Sequence, residues 1–187
     1  ITPTIFDSWA RILKQVENSV LIVYADNELS QINLIQEIVN RGVKGERLIF
    51  ADNLERSDYL ARYRTADLFL DTHPYNAGTT ASDALKMGLP MITYLGNSYQ
   101  ARMGASIVSA LNLPELITHS LEEYEALAIE LATNPEKMQA IKDKLASNLT
   151  TAPLYNTKLF VKNLESAYTA MYERHHEGLE PDHIYVE

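Results

Sequence analysis

The 187-residue sequence contains no cysteine, which excludes disulfides, thiolate metal ligands and a cysteine nucleophile, and fits a reducing cytosol. Long apolar runs are missing too. The longest, Val20 to Ala25, falls far short of the roughly 20 residues that span a bilayer, and no basic-then-apolar leader is read at the start. Positive charge is scarce: 16 Lys and Arg against 25 Asp and Glu leave a formal charge of −9, so no broad attraction to nucleic acid or to an anionic membrane is expected. The expectation is a cytoplasmic protein with no nucleic-acid or membrane partner. Several catalytic signatures are absent as well. There is no P-loop, no G-x-G-x-x-G and no G-x-S-x-G, which removes the motifs of nucleotide triphosphatases, dinucleotide dehydrogenases and α/β-hydrolases. No D-x-D pair is available to hold a metal-bound diphosphate, and the five histidines lack ligand spacing apart from the adjacent His175 and His176, so no metal site is expected.

What remains is an ordinary globular composition, 46% apolar and 22% charged, long enough for one sizeable core. The chain begins Ile1-Thr2-Pro3 without an initiator methionine, which suggests a domain of a longer polypeptide. Helical spacing of Ile5, Trp9, Ile12, Leu13 and Val16 predicts an opening amphipathic helix capped by Thr4. Ser19 to Ala25 is apolar and β-branched on both faces, as a strand buried in a parallel sheet is. The alternation continues: a helix over 29–40, a strand at Arg47–Phe50, a helix over 55–65, a strand at Asp67–Asp71, a helix at Thr79–Met87, a strand at Pro90–Leu95 and a helix at Ser98–Leu111. This predicts an α/β fold, a Rossmann-like open parallel sheet with helices on both faces. After Pro114 only a short strand at Glu115–Ile117 and three helices (Leu121–Thr133, Pro135–Ala146 and Thr157–Arg174) are read. Residues 1–174 form the expected domain, and 175–187 an acidic tail without periodicity.

The densest chemical signal lies at the end of the Asp67–Asp71 strand, in Leu70-Asp71-Thr72-His73-Pro74-Tyr75-Asn76-Ala77-Gly78-Thr79-Thr80-Ala81-Ser82-Asp83. A strand that runs through a Pro/Asn/Gly loop into a Thr-led helix presents free backbone N–H groups at a helix N-terminus, where dipole and donors favour a phosphate. Asp83 lies one turn into that helix, placed to accept from hydroxyls of whatever the N-terminus holds. The competing reading is a plain turn and N-cap. Four of the eight arginines, Arg47, Arg56, Arg62 and Arg64, precede the strand; they suit a polyphosphate, or form a solvated helix face. The spacing of Arg56 and Arg62 sets them on different helix faces, so one of the two is expected to face a ligand. His73 is the histidine beside the loop, a proton carrier or a structural donor.

Taken together, Arg47–Phe50, Ala66–Thr72, Tyr75–Leu85, Gly88–Thr93, Ala101–Ser106, Leu113–Ile117 and Pro153–Thr157 resemble the O-linked N-acetylglucosamine transferases and their bacterial relatives, which usually carry tetratricopeptide repeats. The resemblance covers nearly the whole chain. It implies the C-terminal, nucleotide-sugar-binding half of a GT-B glycosyltransferase, lacking its first strand and facing an N-terminal domain outside this chain. It further implies transfer of N-acetylglucosamine from UDP-GlcNAc to a Ser or Thr hydroxyl of a protein or peptide acceptor, with inversion and without a cofactor or essential metal. Carried over by position, Gly78, Thr79 and Thr80 hold the pyrophosphate, Asp83 the ribose hydroxyls, Arg56 the ribose region, and Leu54 and Arg62 the uracil; His73, Asn76 and Tyr59 are secondary candidates. Relatives commonly have histidine where Gly78 and Tyr59 stand, and a lysine that neutralises the leaving UDP is expected upstream of Ile1. Two alternatives remain at this stage: a GT-B enzyme with another donor or acceptor, and a non-catalytic nucleotide- or protein-binding module.

Overall fold

The computed structural model describes residues 1–186; the last residue of the expected tail, Glu187, lies outside them. The chain opens on helix α1 (Pro3–Gln15), whose N-cap is Thr2 rather than Thr4. Proline at the first helical position lacks only an amide hydrogen that the helix would not have used, so the cap moves one residue ahead of it. Helix α1 turns Ile5, Phe6, Trp9, Ile12 and Leu13 inward. Strand β1 (Leu21–Tyr24), helix α2 (Glu28–Asn40) and strand β2 (Leu48–Ala51) then form a parallel β-α-β unit with Leu21 opposite Leu48 and Tyr24 opposite Ala51. Helix α3 (Arg56–Arg62) tightens into a 3-10 turn at Tyr63–Thr65 before strand β3.

Strand β3 has Phe69 and Leu70 in the ladder, shorter than the five residues expected, although the Phe69 and Asp71 N–H groups donate to Pro90 and Ile92 of the next strand's run. Helix α4 (Thr79–Lys86), strand β4 (Met91–Tyr94), helix α5 (Met103–Ala110) and strand β5 (Ile117–Thr118) complete the second parallel unit. Helix α5 starts five residues later than its pattern suggests. Ser98 Oγ accepts from Ala101 N–H and Gly96 N–H donates to the Ala101 carbonyl, which ties residues 96–101 into a closed loop that enters α5 through a 3-10 turn at Gln100–Arg102. The Glu115–Ile117 stretch resolves into a 3-10 turn at Pro114–Leu116 followed by β5. Helices α6 (Leu121–Thr133), α7 (Pro135–Leu149) and α8 (Thr157–His176) follow. The last helix includes His175 and His176, with Gly178 in the left-handed conformation just beyond it, a position that ends helices and favours glycine.

The strands form two hydrogen-bonded sets, β1-β2 and β3-β4-β5, all parallel. They differ in cover. Ile92 and Met91 on β4 are fully buried, with Leu85, Val108, Leu116, Tyr124, Leu131 and Leu145 around them. On β1, by contrast, Ile22 and Tyr24 are exposed, so the apolar run at 19–25 is covered on one face and open on the other, a departure from the expected double burial. Helix α2 likewise exposes Leu29, Ile32, Ile35 and Val39. Apolar run length cannot tell one covered face from two.

Candidate functional site

The site is built at the carboxyl end of β3, where ligands bind in open parallel sheets. Asp71 closes the strand and is 1% exposed. Its Oδ1 accepts the N–H groups of Thr72 and Ala77 at 2.9 and 2.8 Å, and its Oδ2 accepts the Thr93 hydroxyl at 2.7 Å. Burial pushes this carboxyl up to about 6, against the pull of those three donors. One carboxylate thus pins both ends of the 72–77 loop to β4. Asn76 braces the same loop: its Nδ2 donates to the Thr72 carbonyl at 2.7 Å and its Oδ1 accepts Gly104 N–H at 3.3 Å. Its amide is therefore committed to the fold, not presented to a ligand. A further chain of bonds leads outward, from Trp9 Nε1 to Tyr124 Oη at 3.2 Å and from Tyr124 Oη to the Asp71 carbonyl at 3.0 Å. Gly104 admits this arrangement. A Cβ there would sit 2.3 Å from Asp71 Oδ2 and 2.4 Å from Thr93 Oγ1.

The loop delivers the chain into α4 with Gly78 as N-cap and no side chain bonded to the helix end. Thr79 and Thr80 are exposed, so the first-turn amides of α4, which have no partner within the helix, face outward. Asp83, one turn on and 8% exposed, receives both guanidinium nitrogens of Arg56, each at 2.8 Å. This bidentate pair keeps Arg56 firmly charged and joins α3 to α4. Arg62 donates to the Asp52 carbonyl at 2.7 Å. Both guanidinium groups lie near the Tyr59 ring, 5.4 and 5.7 Å from its centre, while they bond to different partners, Arg56 to Asp83 and Arg62 to the Asp52 carbonyl. Long side chains can share one aromatic residue between Cα atoms set at different angles on the helix. Leu54 is exposed in the loop before α3. The structure therefore gathers Arg56, Tyr59, Arg62 and Asp83, with Gly78, Thr79 and Thr80 at the adjoining helix end.

Asn76, Arg47 and His73 fall outside this group. Arg47 donates to the carbonyls of Leu13, Val16 and Ser19 at 2.6 to 2.8 Å, so it satisfies the end of α1 and is unavailable to a phosphate. His73 turns away toward β4, where its ring lies 4.2 Å from that of Tyr94, and its carbonyl accepts the Thr2 hydroxyl at 3.3 Å. Sequence reasoning placed Asp71 within the dense signal without giving it a role, and passed over Thr93, Tyr124 and Gly104 as parts of the site. The available signal was a glycine inside a helical pattern, which often marks a close approach.

The family model described as glycosyl transferase family 41 matches residues 1–164. The chain is 36% identical over 185 residues to the probable UDP-N-acetylglucosamine–peptide N-acetylglucosaminyltransferase SEC of Arabidopsis thaliana, which covers 98% of this chain and 19% of that protein. With the UDP-N-acetylglucosamine–peptide N-acetylglucosaminyltransferase of Caenorhabditis elegans it shares 29% identity over 184 residues, 98% of this chain and 16% of the relative. Among solved structures, a lysine-to-methionine mutant of Thermobaculum terrenum O-GlcNAc transferase superposes with a TM-score of 0.86 at 31% identity, covering 92% of this chain and 34% of that one. The chain thus spans about a fifth of the length of these curated relatives.

Proposed function

The chain belongs to glycosyl transferase family 41, and from that premise we propose that it forms the UDP-sugar-binding half of an inverting GT-B enzyme, which transfers N-acetylglucosamine from UDP-GlcNAc to Ser or Thr hydroxyls of proteins. The observation that carries the reading is the exposed, uncapped N-terminus of α4 with Asp83 paired to Arg56 beside it. The uracil lies toward Leu54 and Arg62, the ribose hydroxyls donate to Asp83, and the diphosphate meets the amides of Thr79 and Thr80. As the acceptor hydroxyl oxygen bonds to the anomeric carbon, its proton passes to a base supplied by the rest of the longer protein, the bond from that carbon to the β-phosphate oxygen breaks, and negative charge grows on the UDP. The preorganised amides of α4 stabilise that charge. This role needs no titratable side chain and no metal, and none of the site's residues is assigned an acid or base step.

The longer protein supplies the rest: a facing domain that positions the acceptor, a lysine at the leaving diphosphate, and any repeats. That the strands form two hydrogen-bonded sets, β1-β2 and β3-β4-β5, and not one continuous sheet supports a further strand contributed by the longer protein. The reading also places the enzyme in the cytoplasm. Other GT-B chemistries and a purely binding module are not favoured, since the relatives are named as peptide N-acetylglucosaminyltransferases.

The test is a calorimetric titration of the chain with UDP, with UMP and GDP as competitors and Asp83→Ala as the control. Saturable binding that prefers UDP and weakens about tenfold in the variant is expected, the effect of losing one set of charge-assisted hydrogen bonds. Equal affinity for GDP, or binding indifferent to Asp83, overturns the assignment. The isolated chain is expected to transfer no sugar to peptide; transfer by it would place the whole catalytic apparatus within these 187 residues.

A further inference from the structure

A second concavity, of about 540 Å³, opens over the carboxyl ends of β3, β4 and β5, with His73, Tyr94, Ser98, Arg102 and His119 among its lining residues. In a chain of net charge −9, no carboxylate lines it. Glu123 is turned to the His119 main-chain N–H at 2.7 Å, and Asp71, just before His73 in the chain, is enclosed by its own three donors. Arg102 and His119 are exposed, and among the described residues no ion pair or side-chain hydrogen bond occupies either. The pocket is shaped by the fold: its floor loop is closed by the Gly96 to Ala101 bond, and a Cβ on Gly96 would come within 2.9 Å of His73 Cε1 and 2.5 Å of Ala101 Cβ.

Its position gives it a role. The Arg56–Asp83 pair joins α4 to α3, and Gly78 at the start of α4 faces Met103, the neighbour of Arg102, where a Cβ on Gly78 would lie 3.9 Å from Met103 Cγ. A nucleotide sugar laid with its base toward Arg62 and its diphosphate on Thr79 and Thr80 directs its sugar end toward this pocket. Tyr75 and Tyr99, both more than 70% exposed, stand on the two loops that meet where Asn76 N–H donates to the Gln100 carbonyl. Exposed tyrosines beside a guanidinium are the chemistry of peptide recognition, aromatic contact with a charged anchor. Building on the donor-binding reading above, we propose that this pocket is an acceptor-side subsite that takes the carboxylate of an acidic residue flanking the hydroxyl to be glycosylated, with Arg102 as its principal partner and His73 and His119 as further N–H donors.

The test is an NMR titration of the chain, UDP present, with an acetylated Glu-Val-Ser-Glu peptide and its Gln-Val-Ser-Gln counterpart. The acidic peptide is expected to bind about tenfold more tightly and to shift the amide signals of Gly96 and His119. Arg102→Gln and, separately, His119→Gln are expected to reduce that preference, with the amide spectrum reporting that each variant is folded. UDP binding without a preference for the acidic peptide overturns the subsite while leaving the donor reading in place. Failure of UDP itself to bind overturns both. Displacement of the peptide by inorganic phosphate at equal concentration shows a general oxyanion site and overturns the assignment to an acceptor carboxylate.

Discussion

The two parallel β-α-β units of this chain are built from similar residues and packed to different depths. Around β4 the apolar side chains are enclosed, and one buried carboxylate, Asp71, ties the end of β3, the 72–77 loop and β4 together. Around β1 and β2 nearly as many apolar residues remain in view, including Ile22, Tyr24, Ile32, Ile35 and Ile49. Both halves serve the candidate site, since Thr79, Thr80 and Asp83 rise from the enclosed unit and Leu54, Arg56 and Arg62 follow β2. The contrast teaches that the α4 end of the candidate site is built within the enclosed unit, while the residues that follow β2 are joined to it by the Arg56–Asp83 pair.

The strongest way to break this contrast is to open the enclosed unit. Leu85→Ala, at a fully buried position, is expected to cost about 3 kcal/mol in chemical denaturation, the transfer and cavity terms together; a cost under about 1 kcal/mol would show that this core is no tighter than its neighbour. The next effect comes from Asp71. Its folded-state value near 6 lies above the ordinary 3.8, so the folded state holds a proton that the unfolded chain has released between those limits. The Asp71 contribution to stability is therefore fully present below about pH 4 and is lost as pH rises through about 6. A difference of about 2 to 3 kcal/mol in pH dependence between wild type and Asp71→Asn is expected, and identical profiles would remove the carboxylate from the account. Trp9→Phe deletes the donor to Tyr124 and should cost about 1 kcal/mol, with most of the loss shared by Tyr124→Phe in a double-mutant cycle. The smallest effect sharpens the comparison from the other side. Ile32→Ser, on the open face of α2, should change stability by less than about 0.5 kcal/mol, and a larger loss would mean that this face is covered in solution.

Much of this architecture was legible because it follows from local pattern. The strand at Pro90–Leu95 and the helix led by Thr79 stand where hydrophobic runs and the Gly78-Thr79-Thr80 step place them. The anion-ready helix end was legible for the same reason, since free first-turn amides are a property of any helix start. Asp71 was visible only as an acid at a strand end; its grip on Ala77 and Thr93 depends on pairs 6 and 22 residues away. The shared contact of Arg56 and Arg62 with Tyr59 was hidden by their spacing, which describes Cα positions and not the reach of long side chains.

By itself, then, the sequence determined the period of each element, the parallel α/β class and the loop that opens α4, because these depend on residues within a few positions of one another. The tertiary structure decided which face of β1 stays open, which arginine satisfies a helix end and which meets Asp83, and where a carboxylate-free pocket lies. Those outcomes depend on pairs such as Arg47 with Leu13 or Arg56 with Asp83, 34 and 27 residues apart, and such pairs exist only once the sheets have brought distant segments together.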